Sequence, residues 1–333
     1  MAFAKLSKRE LVLAALAGEN AGRVPISLWG HFPSDPHRSD DLVAETLKFQ
    51  RQFDWDFVKL MPSGMYYPEA LGCTLTPASG PGAVNGLANS VIKQPSDWAA
   101  LPVLDPHQGW LGEHLRSVKL VREALGPDIL IIESIFSPLT VAHKLCLHLA
   151  FADQVTNHRA ALEIGLRAIA EGTKRFAAAC LDAGADGFFF ATQEPNAGTL
   201  SREDYLALGK RFDLDVLGAV ADRCSFNLLH VCQTEIYADL VADYPVHSIN
   251  WDASNGRPNL TEARLAWPGK TLLGGLDRDG AINLGTPDEA AADVRRAVAE
   301  AGRDRFIVGA SCALRVARPD ANLLAARAAV ESL

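Results

Sequence analysis

The chain has 333 residues, of which 48% are hydrophobic and 22% charged, and its formal net charge is −8. These values are typical of a globular enzyme and exclude a disordered chain, a collagen-like repeat and a disulfide scaffold. No basic run and no apolar stretch of membrane-spanning length is present, so neither nucleic acid nor a membrane is an expected partner.

The first predicted element is a helix and not a secretion signal. Ser7 and Glu10 have the spacing of a capping box, an apolar run follows, and Gly18 is a typical helix stop. We therefore expect a cytoplasmic protein. In that reducing compartment its six cysteines are expected to be thiols, metal ligands or nucleophiles, and not disulfides.

After this helix, short β-branched or aromatic runs alternate with longer segments of helical period. The predicted strands cover residues 24–29, 57–61, 129–136, 187–191, 225–231, 246–251, 271–276 and 305–310. The clearest predicted helices cover residues 40–53, 112–125, 153–183, 202–223, 288–301 and 319–332. Eight strand–helix units predict a single (β/α)8 TIM barrel, one domain over residues 1–333. A doubly wound sheet is disfavoured because Trp29-Gly30-His31 after the first strand is not a glycine-rich phosphate turn.

One segment interrupts the alternation after the second predicted strand. Residues 74–95 are rich in Gly, Pro, Ser and Asn, and residues 83–92 alternate in the manner of a hairpin. We therefore expect a hairpin insertion at this point of the barrel.

The chemistry of a (β/α)8 barrel lies at the carboxyl ends of its strands. The fifth predicted strand ends in His230-Val231-Cys232, and residues two apart on an extended segment point the same way, so His230 and Cys232 can bind one metal ion together. Cys312, just past the eighth strand, would supply a third ligand. One His and two Cys leave a fourth tetrahedral position for substrate, which is the pattern of catalytic zinc. Because isolated cysteines are commonly core residues, that simpler interpretation stays open on the residues alone.

Four further polar residues at strand ends are candidate catalytic residues. Glu133 and Glu194 could hold the fourth position on zinc when substrate is absent, or could simply be solvated or helix-capping carboxylates. Asn250 and Asp252 could orient His230 or contact substrate, or could form a turn.

Several motifs carry a resemblance to a known family. They include Arg23-Val24-Pro25, Asp56-Phe57-Val58-Lys59, Gly274-Gly275-Leu276-Asp277 and Ser311-Cys312. Through them the chain resembles, almost end to end, the uroporphyrinogen decarboxylase superfamily, and within it the zinc-dependent corrinoid-linked methyltransferases. The resemblance implies a (β/α)8 barrel with zinc held by the His-x-Cys pair and the distant cysteine. It also implies transfer of a methyl group between a corrinoid (methylcobalamin) protein and a zinc-activated acceptor such as a thiol.

The chain departs from the family pattern at three places. Residues 27–32 contain no arginine where the decarboxylases bind propionate groups, and Lys59 and its neighbours stand where those enzymes have an essential Asp. Gln233 follows the His-x-Cys pair where the methyltransferases usually have Gly. The first two departures disfavour decarboxylation.

Three functions are therefore considered. The first is the zinc methyltransferase, for which a partner protein must supply the corrinoid, because no Asp-x-His-x-x-Gly cobalamin motif is present. The second is a zinc alkyltransferase that opens an epoxide with a thiolate. The third is a uroporphyrinogen decarboxylase-like lyase or a tetrapyrrole-binding protein without metal.

Overall fold

A computed structural model describes residues 6–19, 21–32, 38–76 and 85–333. Its strands, in chain order, are β1 (Phe57–Lys59), β2 (Thr74–Thr76), β3 (Gly86–Asn89), β4 (Leu130–Phe136), β5 (Gly187–Thr192), β6 (Leu228–Val231), β7 (Ser248–Trp251), β8 (Thr271–Leu276) and β9 (Phe306–Ala310). Seven of them form a curved parallel sheet in the order β1-β4-β5-β6-β7-β8-β9, while β2 and β3 form an antiparallel pair. The predicted α/β barrel class is confirmed.

Helices connect and surround the strands. They are α1 (Lys8–Ala17), α2 (Ser39–Phe53), α3 (Tyr66–Ala70), α4 (Gly109–Leu125), α5 (Pro138–Leu145), α6 (Phe151–Thr156), α7 (Arg159–Asp182), α8 (Arg202–Asp204), α9 (Arg211–Gly218), α10 (Ala238–Val241), α11 (Leu260–Ala266), α12 (Ala281–Leu284), α13 (Pro287–Ala301) and α14 (Asp320–Glu331). Short 3-10 helices cover Pro95–Ala100 and Ala221–Arg223. No helix within the described ranges is long and apolar enough to cross a membrane.

The predicted first strand, residues 24–29, is not a regular strand. It nevertheless joins the two edges of the sheet: the N–H of Val308 in β9 donates to the carbonyl of Pro25, and the N–H of Asp56 beside β1 donates to the carbonyl of Ile26. The N–H of Ile26 donates to the Asp56 carboxylate and not to a backbone carbonyl. The Asp56 carboxylate replaces a backbone carbonyl as the acceptor, so no regular ladder forms along residues 24–29. The remaining backbone hydrogen bonds still connect β9 to β1 through this segment.

Two apolar layers lie on opposite faces of the curved sheet. Inside it, Leu130 and Ile132 of β4 pack with Phe189, Leu228 and other inward side chains. Outside it, the alternate strand residues pack against the surrounding helices. This alternation decides which polar strand residues can reach the interior.

Helix α1 closes the amino-terminal end of the barrel. The predicted capping box is confirmed, since the Ser7 side chain accepts the N–H of Glu10 and the Glu10 carboxylate accepts the N–H of Ser7, and Gly18 ends the helix at φ 77°. The apolar side of α1 packs into the interior layer. The carboxyl ends of the strands are left as the face on which a site can form.

Two long predicted helices are interrupted. The segment 153–183 is divided between α6 and α7 at Asn157, whose side chain donates to the Asp153 carboxylate. The segment 202–223 contains a π-helical turn, Tyr205–Lys210, between α8 and α9. The ring of Tyr205 lies where a side chain on Gly209 would be, so the absent side chain makes room for this packing. Helical periodicity does not reveal either interruption.

The predicted insertion is present as β2 and β3, with the tip at residues 77–84 outside the described residues. Its first arm begins at Thr74, whereas the alternation had suggested a hairpin within residues 83–92. The hairpin therefore starts earlier than predicted.

Candidate metal centre

The structure brings the three predicted metal ligands together. The ligand atoms of His230, Cys232 and Cys312 all lie within 4.8 Å of one another, and Nε2 of His230 is 3.6 Å from Sγ of Cys312. His230 lies in β6 with its side chain in the interior, Cys232 follows that strand, and Cys312 follows β9. The cluster therefore lies at the carboxyl end of the barrel, where barrel chemistry is expected.

The tautomer of His230 is set by Asn250 in the neighbouring strand β7. The Asn250 amide nitrogen donates to the carbonyls of Leu273 and Ala310 at 2.9 and 3.0 Å, which fixes the orientation of the amide. Its oxygen lies 2.6 Å from Nδ1 of His230 and must then accept a hydrogen bond from an Nδ1–H group. Nε2 is left with a free lone pair facing Cys312, as a metal-ligating imidazole requires.

Replacement of Asn250 by Ala should lower zinc affinity by about 10- to 100-fold, because the imidazole loses the acceptor that fixes its tautomer. Chelator competition measures this affinity. Ser248→Ala is the matched control, since Ser248 also lies in β7 and donates to a carbonyl of the next strand, that of Thr271, at 2.8 Å. Equal zinc affinity in the two variants would contradict this role for Asn250.

The two cluster cysteines are paired by a hydrogen bond. The pKa of Cys312 is held well below its usual range, chiefly by the hydrogen bond from the Cys232 thiol and further by the charge of Arg278, against the opposing effect of burial. The same pairing raises the pKa of Cys232. Burial raises the pKa of the remaining four cysteines, for example that of Cys146 to about 12 and that of Cys224 to about 11. Of the six cysteines, all of which the structure describes, Cys312 is the one that favours thiolate.

Glu194 is fully buried after β5 and has other partners. The Thr140 hydroxyl donates to one carboxylate oxygen, which also accepts the N–H of Gln193 at 3.1 Å. The other oxygen lies 3.2 Å from Nδ1 of His143 in α5, an imidazole whose side chain is 44% exposed. Glu194 therefore orients His143 in this structure, and its position as a zinc ligand stays a prediction.

Glu133 lies on the opposite face of β4 from the interior. Its neighbours Ile131 and Ile135 belong to the outer layer, and its charge acts on Tyr66 of α3 and Cys180 of α7. Burial raises the pKa of Glu133 to about 8. Strand alternation turns the Glu133 side chain towards the helices and away from the interior, and its position as a zinc ligand stays a prediction.

Asp252 follows β7 and caps a turn. Its carboxylate accepts the N–H groups of Ser254 and Asn255 at 3.1 and 3.0 Å. The arrangement is that of the turn-forming alternative. Of the Asn250 and Asp252 pair, it is Asn250 that contacts His230.

The model of one protein family, "Uroporphyrinogen decarboxylase (URO-D)", matches residues 7–333. The chain belongs to the uroporphyrinogen decarboxylase family. No curated protein matches the sequence significantly.

Solved structures support the fold of this uroporphyrinogen decarboxylase family member. A methyltransferase from Methanosarcina mazei is similar with a TM-score of 0.85 at 20% identity, covering 98% of this chain and 99% of that one. A B12-independent methionine synthase from Shewanella sp. W3-18-1 is similar with a TM-score of 0.62 at 15% identity, covering 93% and 98%. A putative vitamin-B12 independent methionine synthase from Listeria monocytogenes gives 0.56 at 11% identity, covering 88% and 85%. At these identities the likeness establishes the fold.

Gln233, which stands where the family's methyltransferases usually have Gly, has an unusual backbone conformation. Gln233 adopts φ 87°, in the left-handed region that favours glycine. This turn directs the Gln233 N–H towards the sulfur of Cys232, where it lowers the thiol pKa against the larger effect of Cys312. The family member thus keeps a glycine-type backbone at this position while carrying a side chain.

Gln233→Gly should stabilise the fold by up to about 1 kcal/mol, because it removes the strain of a side chain at positive φ. Urea unfolding of the metal-free protein measures the difference. Gln233→Ala keeps a side-chain carbon at the same φ and should bring no gain. Equal stability of the Gly and Ala variants would show that the position is not strained.

Several cationic or basic groups were not among the predicted site residues, and three of them are used below. Lys59 is buried in the interior, Arg278 follows β8 and lowers the pKa of both cluster cysteines, and His143 pairs with Glu194. Lys59 had a detectable signal, a lysine inside a predicted barrel strand. The other two lie in loops or on a helix, where nothing in the sequence separates them from surface residues.

Proposed function

We propose that this uroporphyrinogen decarboxylase family member is a zinc-dependent methyltransferase that moves a methyl group between a corrinoid protein and a zinc-activated thiol. The observation that carries the proposal is the cluster of His230, Cys232 and Cys312, with Nε2 of the imidazole 3.6 Å from the Cys312 sulfur. The fold likeness to a methyltransferase supports it.

The donor set fits zinc. Zinc bonds of about 2.3 Å to sulfur and about 2.0 Å to nitrogen require the ligand atoms to lie within roughly 4 Å of one another. The spread of 4.8 Å or less is close to this without metal, and the side chains need only small adjustments. Zinc bound here would supply a position at which an acceptor thiol is held as thiolate, the form of sulfur that attacks a methyl group.

The protein's own groups prepare this position. Asn250 holds His230 as the neutral Nδ1–H tautomer, and Arg278 favours negative charge on the two cysteines. We assign His143, oriented by Glu194, the role of receiving the proton that the acceptor thiol loses. Its partial exposure gives that proton a route to solvent.

The methyl donor is proposed to be a separate corrinoid protein docked at the carboxyl end of the barrel. Docking there would align the methyl group with the acceptor sulfur. A zinc thiolate can equally open an epoxide, so the alkyltransferase remains the alternative that shares this cluster.

The test is demethylation of methylcobalamin by zinc-loaded protein with small thiols, followed by cobalamin absorbance. We expect thiol-dependent demethylation that Cys312→Ser abolishes and Cys224→Ser preserves, because Cys224 lies outside the cluster with its thiol bonded to the Val220 carbonyl. Inactivity with methylcobalamin but consumption of epoxides would support the alkyltransferase. Decarboxylation of uroporphyrinogen by the metal-free protein would overturn the proposal.

A further inference from the structure

Lys59, the last residue of β1, places an ammonium group inside the barrel. The residue is only 7% exposed. Its Nζ donates to the sulfur of Met61 at 2.8 Å and lies 4.2 Å from the ring centre of Phe189 and 6.0 Å from that of Trp29. These partners are a weak acceptor and two aromatic faces.

No carboxylate forms an ion pair with Lys59 within the described part of the chain. Glu133 is the carboxyl whose charge acts on it, but Glu133 points to the other side of β4 and its pKa is raised to about 8, so it is largely protonated at neutral pH. A buried ammonium without a counter-ion is costly, so burial lowers the pKa of Lys59 to about 7, and the cation–π contacts offset only part of that cost. A bound anion would favour the charged form of Lys59. The group is therefore prepared to receive an anion.

Lys59 and the metal centre face the same interior space. Phe189, which contacts the ammonium, stacks on the imidazole of His230 with ring centres 5.0 Å apart and an angle of 24°. His31 lies within the field of both Lys59 and Cys312. A small molecule with its sulfur at the cluster would extend along this aromatic wall towards the ammonium.

We propose that Lys59 binds a carboxylate group of the acceptor, so that the substrate is a small thiol acid and not a neutral thiol. The inference rests on the proposed function for the role of the sulfur. A single ammonium between aromatic walls suits a singly charged oxyanion, and the ion pair would replace the weak contacts that Lys59 makes without ligand.

Matched probes test this assignment. Cobalt(II) is loaded in place of zinc, and 3-mercaptopropionate and 3-mercaptopropanamide are titrated while thiolate-to-cobalt absorption is recorded. A charge-assisted hydrogen bond corresponds to about a tenfold preference for the carboxylate in the wild type. Lys59→Met, which keeps the side-chain volume, should bind both probes equally, while Lys119→Met at an exposed site of α4 should keep the preference.

The two proposals can fail separately. Absorption bands of equal strength with both probes in the wild type, or a preference that survives Lys59→Met, would overturn the carboxylate site and leave the metal site intact. If neither thiol gives a band, the proposed function fails, and ligand-observed NMR with propionate and propanamide decides the carboxylate site. Propionate binding that Lys59→Met removes would support it, and absent or equal binding would reject it. Lys59→Gln provides the same comparison should the Met variant not fold.

Discussion

Substitution of either Cys232 or Cys312 by Ser is expected to remove zinc from the protein. The wild type should hold about one ion per chain, bound by two thiolates and one imidazole, and each substitution removes a thiolate that zinc strongly prefers to a hydroxyl. The ligand atoms lie together at the open end of the barrel, so the loss of one leaves two donors. Metal content of the purified proteins, measured by mass spectrometry, checks the expectation.

Cys224→Ser is the control for the loss of a thiol elsewhere. Its sulfur lies 3.2 Å from the Val220 carbonyl, and burial raises its pKa to about 11, so it should affect zinc content little. Zinc that is absent from carefully prepared wild type, or retained by both cluster variants, would end the methyltransferase mechanism. The barrel fold would be unaffected by that result.

The fold could be predicted because buried parallel strands leave a strong pattern. The run 271–276 was predicted with the bounds of β8, and six other predicted runs contain or overlap a strand of the sheet. The run 24–29 has the composition of a strand but lacks a ladder, since the Asp56 side chain takes the Ile26 N–H. This replacement of a backbone acceptor by a side chain depends on a residue 30 positions away, so the local composition of residues 24–29 cannot predict it.

The metal cluster was predictable for a similar reason. His230 lies in β6 and Cys232 directly follows that strand, while Cys312 follows β9, so topology alone brings the three residues to one end of the barrel. The role of Glu133 was not predictable, since it depends on which face of β4 is inward. Every residue of β4 except Phe136 is buried, so no alternation of polar and apolar residues marks the inner face.

The outward position of Glu133 leads to an expected gain in stability when it is replaced. Its pKa rises from an ordinary 4.5 to about 8 because burial disfavours the charged form, an effect that the charge of Lys59 only partly offsets. The folded state therefore holds a proton that the unfolded state releases between these two pH values. The free energy of unfolding therefore falls as pH rises from 4.5, and the loss is complete above pH 8.

Glu133→Gln removes the ionisation and with it this pH-dependent cost. We expect the variant and the wild type to have similar free energies of unfolding near pH 5, and the variant to be more stable by about 2–4 kcal/mol at pH 8. Urea unfolding of the metal-free proteins at both pH values measures the difference. Glu203→Gln is the control, because Glu203 is an exposed carboxylate in the first turn of α8. Its effect on the free energy of unfolding should show no comparable dependence on pH. Zinc binding should be unchanged in Glu133→Gln, because the side chain faces the helices. Loss of the metal in this variant would instead indicate that Glu133 is a zinc ligand. A stability difference that does not depend on pH would show that ionisation of the buried carboxyl is not its cause.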